Sequence, residues 1–123
     1  MRAQHSFDID GVISIGIRPS PGAIIITGRS YEERAETEAY LKHLGISNDV
    51  FYNPLKWSEK SRTSSGEHKA EIINLQGVTR HFEDDPVQAQ VIRERCPNCY
   101  VVEIVSDLVE LENVRHTFTG EPN

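Results

Sequence analysis

The sequence predicts an α/β domain in which helices cover both faces of a doubly wound parallel sheet, giving three layers. Short runs rich in β-branched residues alternate with amphipathic stretches along the chain. Residues 23–27 form a continuous apolar run, which is typical of a strand buried on both faces. Polar candidates for a site fall where predicted strands end, and ligands of such sheets bind outside the carboxyl ends of the strands.

Five strands are predicted, over residues 3–8, 23–27, 50–52, 79–83 and 99–105. The first is unusually polar, because His5 and Ser6 stand where aliphatic residues are expected. The third is stopped by Asn53 and Pro54, and the polar residues 54–66 are expected to form a loop. Helical stretches separate the strands, and this alternation indicates parallel pairing.

Three helices are predicted, over residues 31–44, 67–75 and 86–95. Ser30 and Glu33 form a capping-box pattern at the start of the first helix. Gly45 and Gly77 follow the first two helices, where glycine commonly ends a helix. Pro86 suits the first turn of the third helix.

The length of 123 residues predicts a single domain over residues 1–123, with a short helix or a frayed end from residue 107. No apolar run approaches the roughly 20 residues that span a bilayer, so no membrane contact is expected. A net charge of -6 argues against broad nucleic-acid binding, which needs basic surface. The polar N-terminus and the presence of only two cysteines predict a cytoplasmic location.

Asp8 and Asp10 are the residues around which a site can be built. One residue separates them at the end of the first predicted strand, so both side chains leave on the same face. Gly11 then allows the chain to turn away from the sheet. Two close carboxylates repel each other unless a cation lies between them or one keeps a proton. A hard ion such as Mg²⁺ binds such oxygens, and a carboxylate can act as a nucleophile.

Four segments in order extend this pattern. They are Asp8-Ile9-Asp10-Gly11-Val12-Ile13, Ile25-Ile26-Thr27-Gly28-Arg29, Lys69, and His81-Phe82-Glu83-Asp84-Asp85-Pro86. Together they resemble the four motifs of the haloacid dehalogenase (HAD) superfamily, and the resemblance extends from residue 7 to about residue 105. It implies a Rossmann-like, HAD-like fold and a Mg²⁺-dependent phosphohydrolase that forms an aspartyl phosphate.

The resemblance also implies roles for four catalytic residues. Asp8 is expected to be the nucleophile, and Asp10 the general acid and base with a raised pKa. Thr27 is expected to hold a phosphoryl oxygen. Lys69 is expected to neutralise charge on Asp8 and on the phosphate; Lys60 and Arg62 are possible substitutes for it.

The implied cofactor is Mg²⁺, and the expected metal residues are Asp8, Asp10, Asp84 and Asp85. Asp84 completes this site in the family pattern, with Glu83 or Asp85 supporting or replacing it. Three carboxylates directly after an apolar strand are costly without a cation. Which of the three binds the metal directly is left open by the sequence.

Gly28, Arg29 and Trp57 are the expected substrate-binding residues. Arg29 follows the second motif, and its alternative is a solvated surface arginine. Trp57 lies among Lys56, Lys60 and Arg62, a combination that suits sugars or bases. Its alternative is a tryptophan that packs the loop against the body.

Residues 11–23 are about the shortest stretch that can make a parallel crossover, and they contain Pro19 and Pro21, which disfavour the helix that HAD phosphatases usually carry here. The flap is therefore expected to be trimmed, and no insertion is large enough for a cap domain. An open site predicts a phosphorylated substrate that is either a small molecule or a macromolecular phosphate end. A second copy of the chain is a possible partner.

Two other classes of function compete with the phosphohydrolase. A receiver-type signalling module is excluded by chain order, since the middle strand ends in Asn53-Pro54 where the acceptor aspartate would stand. A phosphotransferase, or a catalytically weak HAD-like binding or regulatory module, remains an alternative. Cys96 and Cys99 resemble a redox or half-zinc pair but are expected to form a structural turn.

Overall fold

A five-stranded, fully parallel sheet forms the centre of the computed structural model, which describes residues 4–105. The strands are β1 (Gln4–Phe7), β2 (Ile24–Ser30), β3 (Val50–Asn53), β4 (Val78–Glu83) and β5 (Tyr100–Glu103), in the spatial order β3-β2-β1-β4-β5. The helices are α1 (Arg34–His43), α2 (Arg62–Gln76) and α3 (Pro86–Arg95). The predicted α/β class and parallel sheet are confirmed. The expected helix or frayed end from residue 107 lies outside the described residues.

Apolar side chains pack on both faces of the sheet. The neighbours Ile25 and Ile26 in β2 are fully buried in two different core clusters. One cluster joins Ile26 to the helices α2 and α3, and the other joins Ile25 to β1, α1 and the β1–β2 connection. Because successive strand residues point to opposite faces, each cluster covers one face. The apolar run in residues 23–27 predicted this burial.

The helix ends follow the signals in the sequence. Ser30 and Glu33 form the predicted capping box, although the turn that they start is a short 3-10 helix, Tyr31–Glu33, ahead of α1. Gly77 ends α2 in the left-handed conformation, which glycine adopts without strain. Pro86 occupies the first turn of α3, as expected.

The helix α2 and the strand β2 extend well beyond their predicted bounds. The helix α2 starts at Arg62 instead of residue 67, so the polar loop ends earlier than expected. Ser61 caps this helix by accepting a 3.1 Å hydrogen bond from the backbone N–H of Ser64, and Ser64 returns the contact. At the third position of the helix, serine stands where glutamate or glutamine usually completes a capping box. The sequence pattern therefore did not predict this helix start. The strand β2 also continues to Ser30, with a shift of register after Ile26.

The β1–β2 connection is short, as the sequence predicted. It contains a 3-10 turn, Ile13–Ile15, and Val12 and Ile13 are buried in the core. Residues 8–23 therefore supply no flap helix at the carboxyl end of β1. Within residues 4–105, the helices are all too short or too polar to cross a bilayer.

Candidate functional site

Register places two pairs of polar side chains on one face of the sheet. Ser6 in β1 lies opposite His81 in β4, and their neighbours Phe7 and Phe82 stack on the other face with ring centroids 4.4 Å apart. The period of two then places Asp8 beyond Ser6 and Glu83 beyond His81. The backbone N–H of Asp8 donates to the carbonyl of Phe82 at 3.1 Å, which keeps the two chains paired past the end of β1.

Three carboxyl groups converge at this end of the strands. Asp8, Glu83 and Asp84 each offer an oxygen, and these oxygens all lie within 4.8 Å of one another. Asp8 and Glu83 are buried, and Asp84 is partly buried. The expected meeting of Asp8 and Asp84 across more than seventy residues of sequence is therefore present. We call Asp8, Glu83 and Asp84 the acidic cluster.

Lys69 brings a buried positive charge to the acidic cluster. Its Nζ lies 3.1 Å from Oδ1 of Asp8 and 2.8 Å from Oε1 of Glu83, and only 1% of its side chain is exposed. The two alternative cations are engaged elsewhere. Lys60 binds Glu33 and the carbonyl of Gly28, and Arg62 binds Asp85. Lys69 is thus the lysine that faces Asp8, as the sequence predicted.

One ammonium group does not balance three carboxylates. Burial, and then the charge of Glu83, raise the pKa of Asp8 to about 8. Burial, and then Asp8, raise the pKa of Asp84 to about 8. Burial opposes the charge of Lys69, but Asp8 and Glu83 hold its pKa above its ordinary value. The cluster therefore retains a proton near neutral pH or gains a cation, and hard oxygen ligands suit a divalent ion such as Mg²⁺.

Gly11 lies directly against Asp84. Its φ of +82° is in the left-handed region, and a Cβ at this position would overlap the carboxyl group of Asp84. The turn after β1 therefore requires glycine for two reasons. Glycine adopts this backbone conformation without strain, and its missing side chain leaves the space that Asp84 occupies. Any larger residue here would displace Asp84 from the acidic cluster.

Asp10 is not part of the acidic cluster. Its carboxylate is 63% exposed and receives two hydrogen bonds from Arg29, of 3.0 and 2.7 Å. Partial desolvation opposes ionisation, but Arg29 holds the pKa of Asp10 below its ordinary value. The expectation of a raised pKa for Asp10 is therefore wrong for this structure, because the nearest partner is a cation. Arg29 is no solvated surface residue; it also donates to Thr37 at 3.1 Å.

Thr27 and Gly28 lie in β2, the strand beside β1. Thr27 is fully buried, and its Oγ1 accepts a 3.1 Å hydrogen bond from the backbone N–H of Arg29. The carbonyl of Gly28 accepts from Nζ of Lys60 at 2.9 Å. These contacts hold the end of β2, from which Arg29 reaches Asp10.

Asp85, which was expected among the metal residues, has a different set of partners. Arg62 makes hydrogen bonds to both of its oxygens, the shortest 2.6 Å, and Oδ1 also accepts from the backbone N–H of Val87 at 2.8 Å. Burial opposes ionisation, but Arg62 holds the pKa of Asp85 below its ordinary value. The Asp85 carboxylate caps α3 and pairs with α2. Glu83, instead of Asp85, is the residue that joins Asp8 and Asp84 in the acidic cluster.

Trp57 lies on the loop between β3 and α2, and it is 45% exposed. Its backbone N–H donates to Glu32 at 2.9 Å, and Lys60 ties the same loop to Glu33. The loop is therefore fixed to the turn that follows β2. A half-covered indole on a fixed loop is compatible with both alternatives, a surface for substrate and a tryptophan that packs the loop against the body.

Ser6 and His81 were not chosen as site residues from the sequence. His81 is fully buried, with Nδ1 2.7 Å from Ser6 and Nε2 2.9 Å from Glu83. The signal was the polarity of the first strand, together with the alternation of Ser6 with Asp8 and of His81 with Glu83. Parallel pairing of β1 with β4 was needed to connect the two patterns.

Cys96 and Cys99 form a turn between α3 and β5. Both are buried free thiols, and the backbone N–H of Cys99 donates to the carbonyl of Cys96 at 3.1 Å. Burial raises the pKa of the Cys99 thiol to about 11. A protonated, buried pair agrees with the structural turn that the sequence predicted.

The chain matches no known family model, no curated protein and no solved structure. What the fold and the site define is an α/β protein with a five-stranded parallel sheet, compatible with a Rossmann-like fold. At the carboxyl ends of the adjacent strands β1 and β4 it carries a buried acidic cluster with one lysine.

Proposed function

We propose that the chain is a Mg²⁺-dependent phosphomonoesterase of the HAD type, which works through an aspartyl phosphate on Asp8. The observation that carries this proposal is the environment of Asp8. Its carboxyl group lies between the Lys69 ammonium and a second carboxyl group, Asp84, at the carboxyl end of a parallel strand. The strand order and the apolar packing on both faces support a doubly wound, HAD-like arrangement without a cap domain.

The donor set fits a hard divalent cation. Asp8, Glu83 and Asp84 would hold Mg²⁺, and their excess negative charge supplies the electrostatic reason for binding it. Bound there, the ion would offset the repulsion between an attacking carboxylate and a phosphate dianion. Asp85 is left out of this set because Arg62 and the start of α3 occupy its oxygens.

The chain's own residues then divide the chemistry. An oxygen of Asp8 attacks phosphorus while the ester P–O bond breaks, and the leaving oxygen takes a proton from Asp10. Water next attacks the aspartyl phosphate, Asp10 takes its proton, and inorganic phosphate leaves with Asp8 restored. Lys69 remains charged throughout, since two buried carboxyl groups hold it, and so balances charge on Asp8 and the phosphoryl group.

Arg29 must release Asp10, and the exposed Asp10 must take up a proton from solvent, before it can act as an acid. Asp10 is exposed, and its two contacts to Arg29 lower its pKa. A phosphorylated substrate offers Arg29 another anion, so the exchange couples substrate binding to the freeing of Asp10. We therefore propose Arg29 and Gly28 as substrate-binding residues. The exposed Trp57 supplies a flat apolar surface for the rest of the ligand.

The substrate proposed here is a phosphate monoester, either a small molecule or a phosphate at the end of a macromolecule. Asp10 is exposed, and the short β1–β2 connection places no helix over it in the described residues. A cytoplasmic location and a homo-oligomer that would cover the open site belong to the same proposal.

The test is a turnover screen with Mg²⁺ over nucleotides, sugar phosphates, phosphopeptides and nucleic-acid 3′ and 5′ phosphate ends. We expect release of inorganic phosphate that stops with EDTA. Asp8→Asn should lower kcat by about 10⁴-fold or more, since a nucleophile is lost. The exposed Glu36→Gln is the matched control with unchanged turnover. Turnover that persists in Asp8→Asn would refute the aspartyl phosphate.

A binding or regulatory module is the second candidate, and the low pKa of Asp10 favours it. An acid held ionised by Arg29 is a poor proton donor. Mg²⁺-dependent binding of phosphorylated ligands with no turnover across the whole panel would select this module over the enzyme. Transfer of phosphate to an alcohol in preference to water would select a phosphotransferase.

A further inference from the structure

A buried hydrogen-bonded chain leads from the core of the sheet to the acidic cluster. It starts at the hydroxyl group of Ser6, passes through both ring nitrogens of His81 and reaches Oε1 of Glu83. The same oxygen accepts from Lys69, whose ammonium contacts Asp8. Ser6, His81 and Glu83 are all fully buried.

The direction of the hydrogen bonds follows from the partners. A carboxylate oxygen accepts hydrogen bonds, so Nε2 of His81 carries the hydrogen that it donates to Oε1 of Glu83. Ser6 can donate its hydroxyl hydrogen to Nδ1, which leaves Nε2–H to donate to Glu83. Glu83 is then held by His81, by Lys69 and, through Oε2, by the backbone N–H of Asp85 at 3.3 Å.

We propose that His81 and Ser6 are positioning residues that fix the carboxylate of Glu83 and, through it, hold the ammonium of Lys69 against Asp8. This proposal rests on the proposed function for its catalytic consequence. Its geometric consequence is the position of Lys69, which can be measured whether or not the protein has any activity. Neither residue is required to touch the substrate or exchange a proton with it.

The surroundings of the pair are apolar. Ile24 and Val101 are the register neighbours of Ser6 and His81, and both pack in the cluster beneath α2 and α3. Burying a hydroxyl group and an imidazole there costs free energy unless their hydrogen bonds are made. Aliphatic side chains would pack equally well at these two positions. What the polar pair adds is a fixed orientation of the Glu83 carboxylate.

The test compares two sets of substitutions at these positions. The double variant Ser6→Ala/His81→Leu removes the chain while leaving apolar groups that pack, so the main stability cost is the donor that buried Glu83 loses. His81→Gln keeps an N–H donor for Glu83. We expect kcat to fall about 10- to 100-fold in the double variant with KM unchanged, as for other residues that orient a metal or catalytic group. His81→Gln should recover most of kcat.

Cys96→Ala is the control for a general loss of packing in the same apolar cluster. Its thiol is buried there and donates to the carbonyl of Ala70. We expect its kcat to equal that of the unaltered protein, whether or not its stability is lower. If His81→Gln loses as much kcat as the double variant, or if the double variant loses none, the positioning role is refuted.

Crystal structures of the metal-free variants separate this proposal from the proposed function. In the double variant we expect Nζ of Lys69 to leave hydrogen-bond distance of Asp8, whereas His81→Gln and Cys96→Ala should keep it near 3.1 Å. An unmoved Lys69 in the double variant overturns the proposal. A protein without turnover on any phosphate overturns the function instead, and the position of Lys69 still decides the role of His81.

Discussion

Asp8 and Asp10 stand one residue apart in the chain and have opposite environments. Asp8 is buried, and its pKa rises to about 8, mainly through burial. Asp10 is exposed and paired with Arg29, which lowers its pKa. The sequence predicted their shared direction at the end of a strand, but their partners come from distant parts of the chain. The pKa difference therefore depends on tertiary contacts alone.

Gly11 gives a prediction that separates backbone strain from the site. Gly11→Ala places a Cβ where the Asp84 carboxyl group lies and strains a φ of +82°. We expect it to lower the free energy of unfolding by about 1–3 kcal/mol and to weaken Mg²⁺ binding, because Asp84 must move. Isothermal titration calorimetry with Mg²⁺ and chemical unfolding measure the two effects.

Gly22→Ala is the matched control for Gly11→Ala. Gly22 has a φ of +84°, and a Cβ added there would meet nothing within 4 Å among the described residues. It should show the strain without any loss of Mg²⁺ affinity. Equal Mg²⁺ affinities in the two variants would mean that Asp84 does not help to bind the ion.

At the scale of elements, α2 supplies two cations that pair with different carboxylates. The helix α2 carries Lys69 to the acidic cluster from one of its middle turns, and Arg62 in its first turn binds Asp85. Asp85 in turn caps α3. Gly66 allows the two helices to approach closely, since a Cβ there would lie 3.0 Å from Val91. The packing of α2 on α3 thus sets the position of Lys69.

Asp85→Asn tests whether the residue is a cap or a metal ligand. Asparagine caps helices as well as aspartate does, so only the charge paired with Arg62 is lost. We expect unchanged Mg²⁺ affinity and a loss of stability of about 1–3 kcal/mol, because Asp85 is buried and its charged hydrogen bonds to Arg62 are weakened. A tenfold weaker Kd for Mg²⁺ in calorimetry would restore Asp85 to the metal set.

At the scale of the whole molecule, we expect the acidic cluster to link the stability of the fold to pH and to a bound divalent ion. The ordinary pKa of Asp8 and Asp84 is 3.8, and in the folded protein it is about 8. Between these values the folded protein holds a proton that the unfolded chain has lost. The resulting stability is complete below pH 4 and is lost as the pH rises through about 8. Asp10 and Asp85 have lowered pKa values and titrate below this window.

Without divalent cations we therefore expect the free energy of unfolding to fall between about pH 5 and pH 8 and to level off above pH 8. The slope should approach about 1.4 kcal/mol per pH unit for one retained proton. Mg²⁺ at 100 times its Kd should add about 2.7 kcal/mol and remove the slope, since it replaces the proton. Urea unfolding with EDTA or Mg²⁺ measures both. The double variant Asp8→Asn/Asp84→Asn should lose the slope and the Mg²⁺ effect, whereas Glu36→Gln should keep both; an unchanged slope in the double variant contradicts the retained proton.

Much of the fold was predictable because its signals are local. The apolar run in residues 23–27 predicted a strand buried on both faces, and the caps at Ser30, Gly77 and Pro86 predicted helix ends. The early start of α2 was missed because two serines replace the usual capping box. In the site, Asp8, Asp84 and Lys69 were named from the sequence, whereas Glu83 was one of several open choices and His81 was not chosen.

The sequence by itself determined the strands, the helices and the polar residues at the strand ends, because hydrophobic period and caps act over a few neighbouring residues. Only the tertiary structure decided which carboxylates meet. Parallel pairing of β1 with β4 brings Asp8 beside Glu83 and joins Ser6 to His81. Lys69 pairs with Asp8, Arg29 with Asp10 and Arg62 with Asp85. Distance and burial determine which cation pairs with each carboxylate. Both are properties of the packed chain, since charges interact through space.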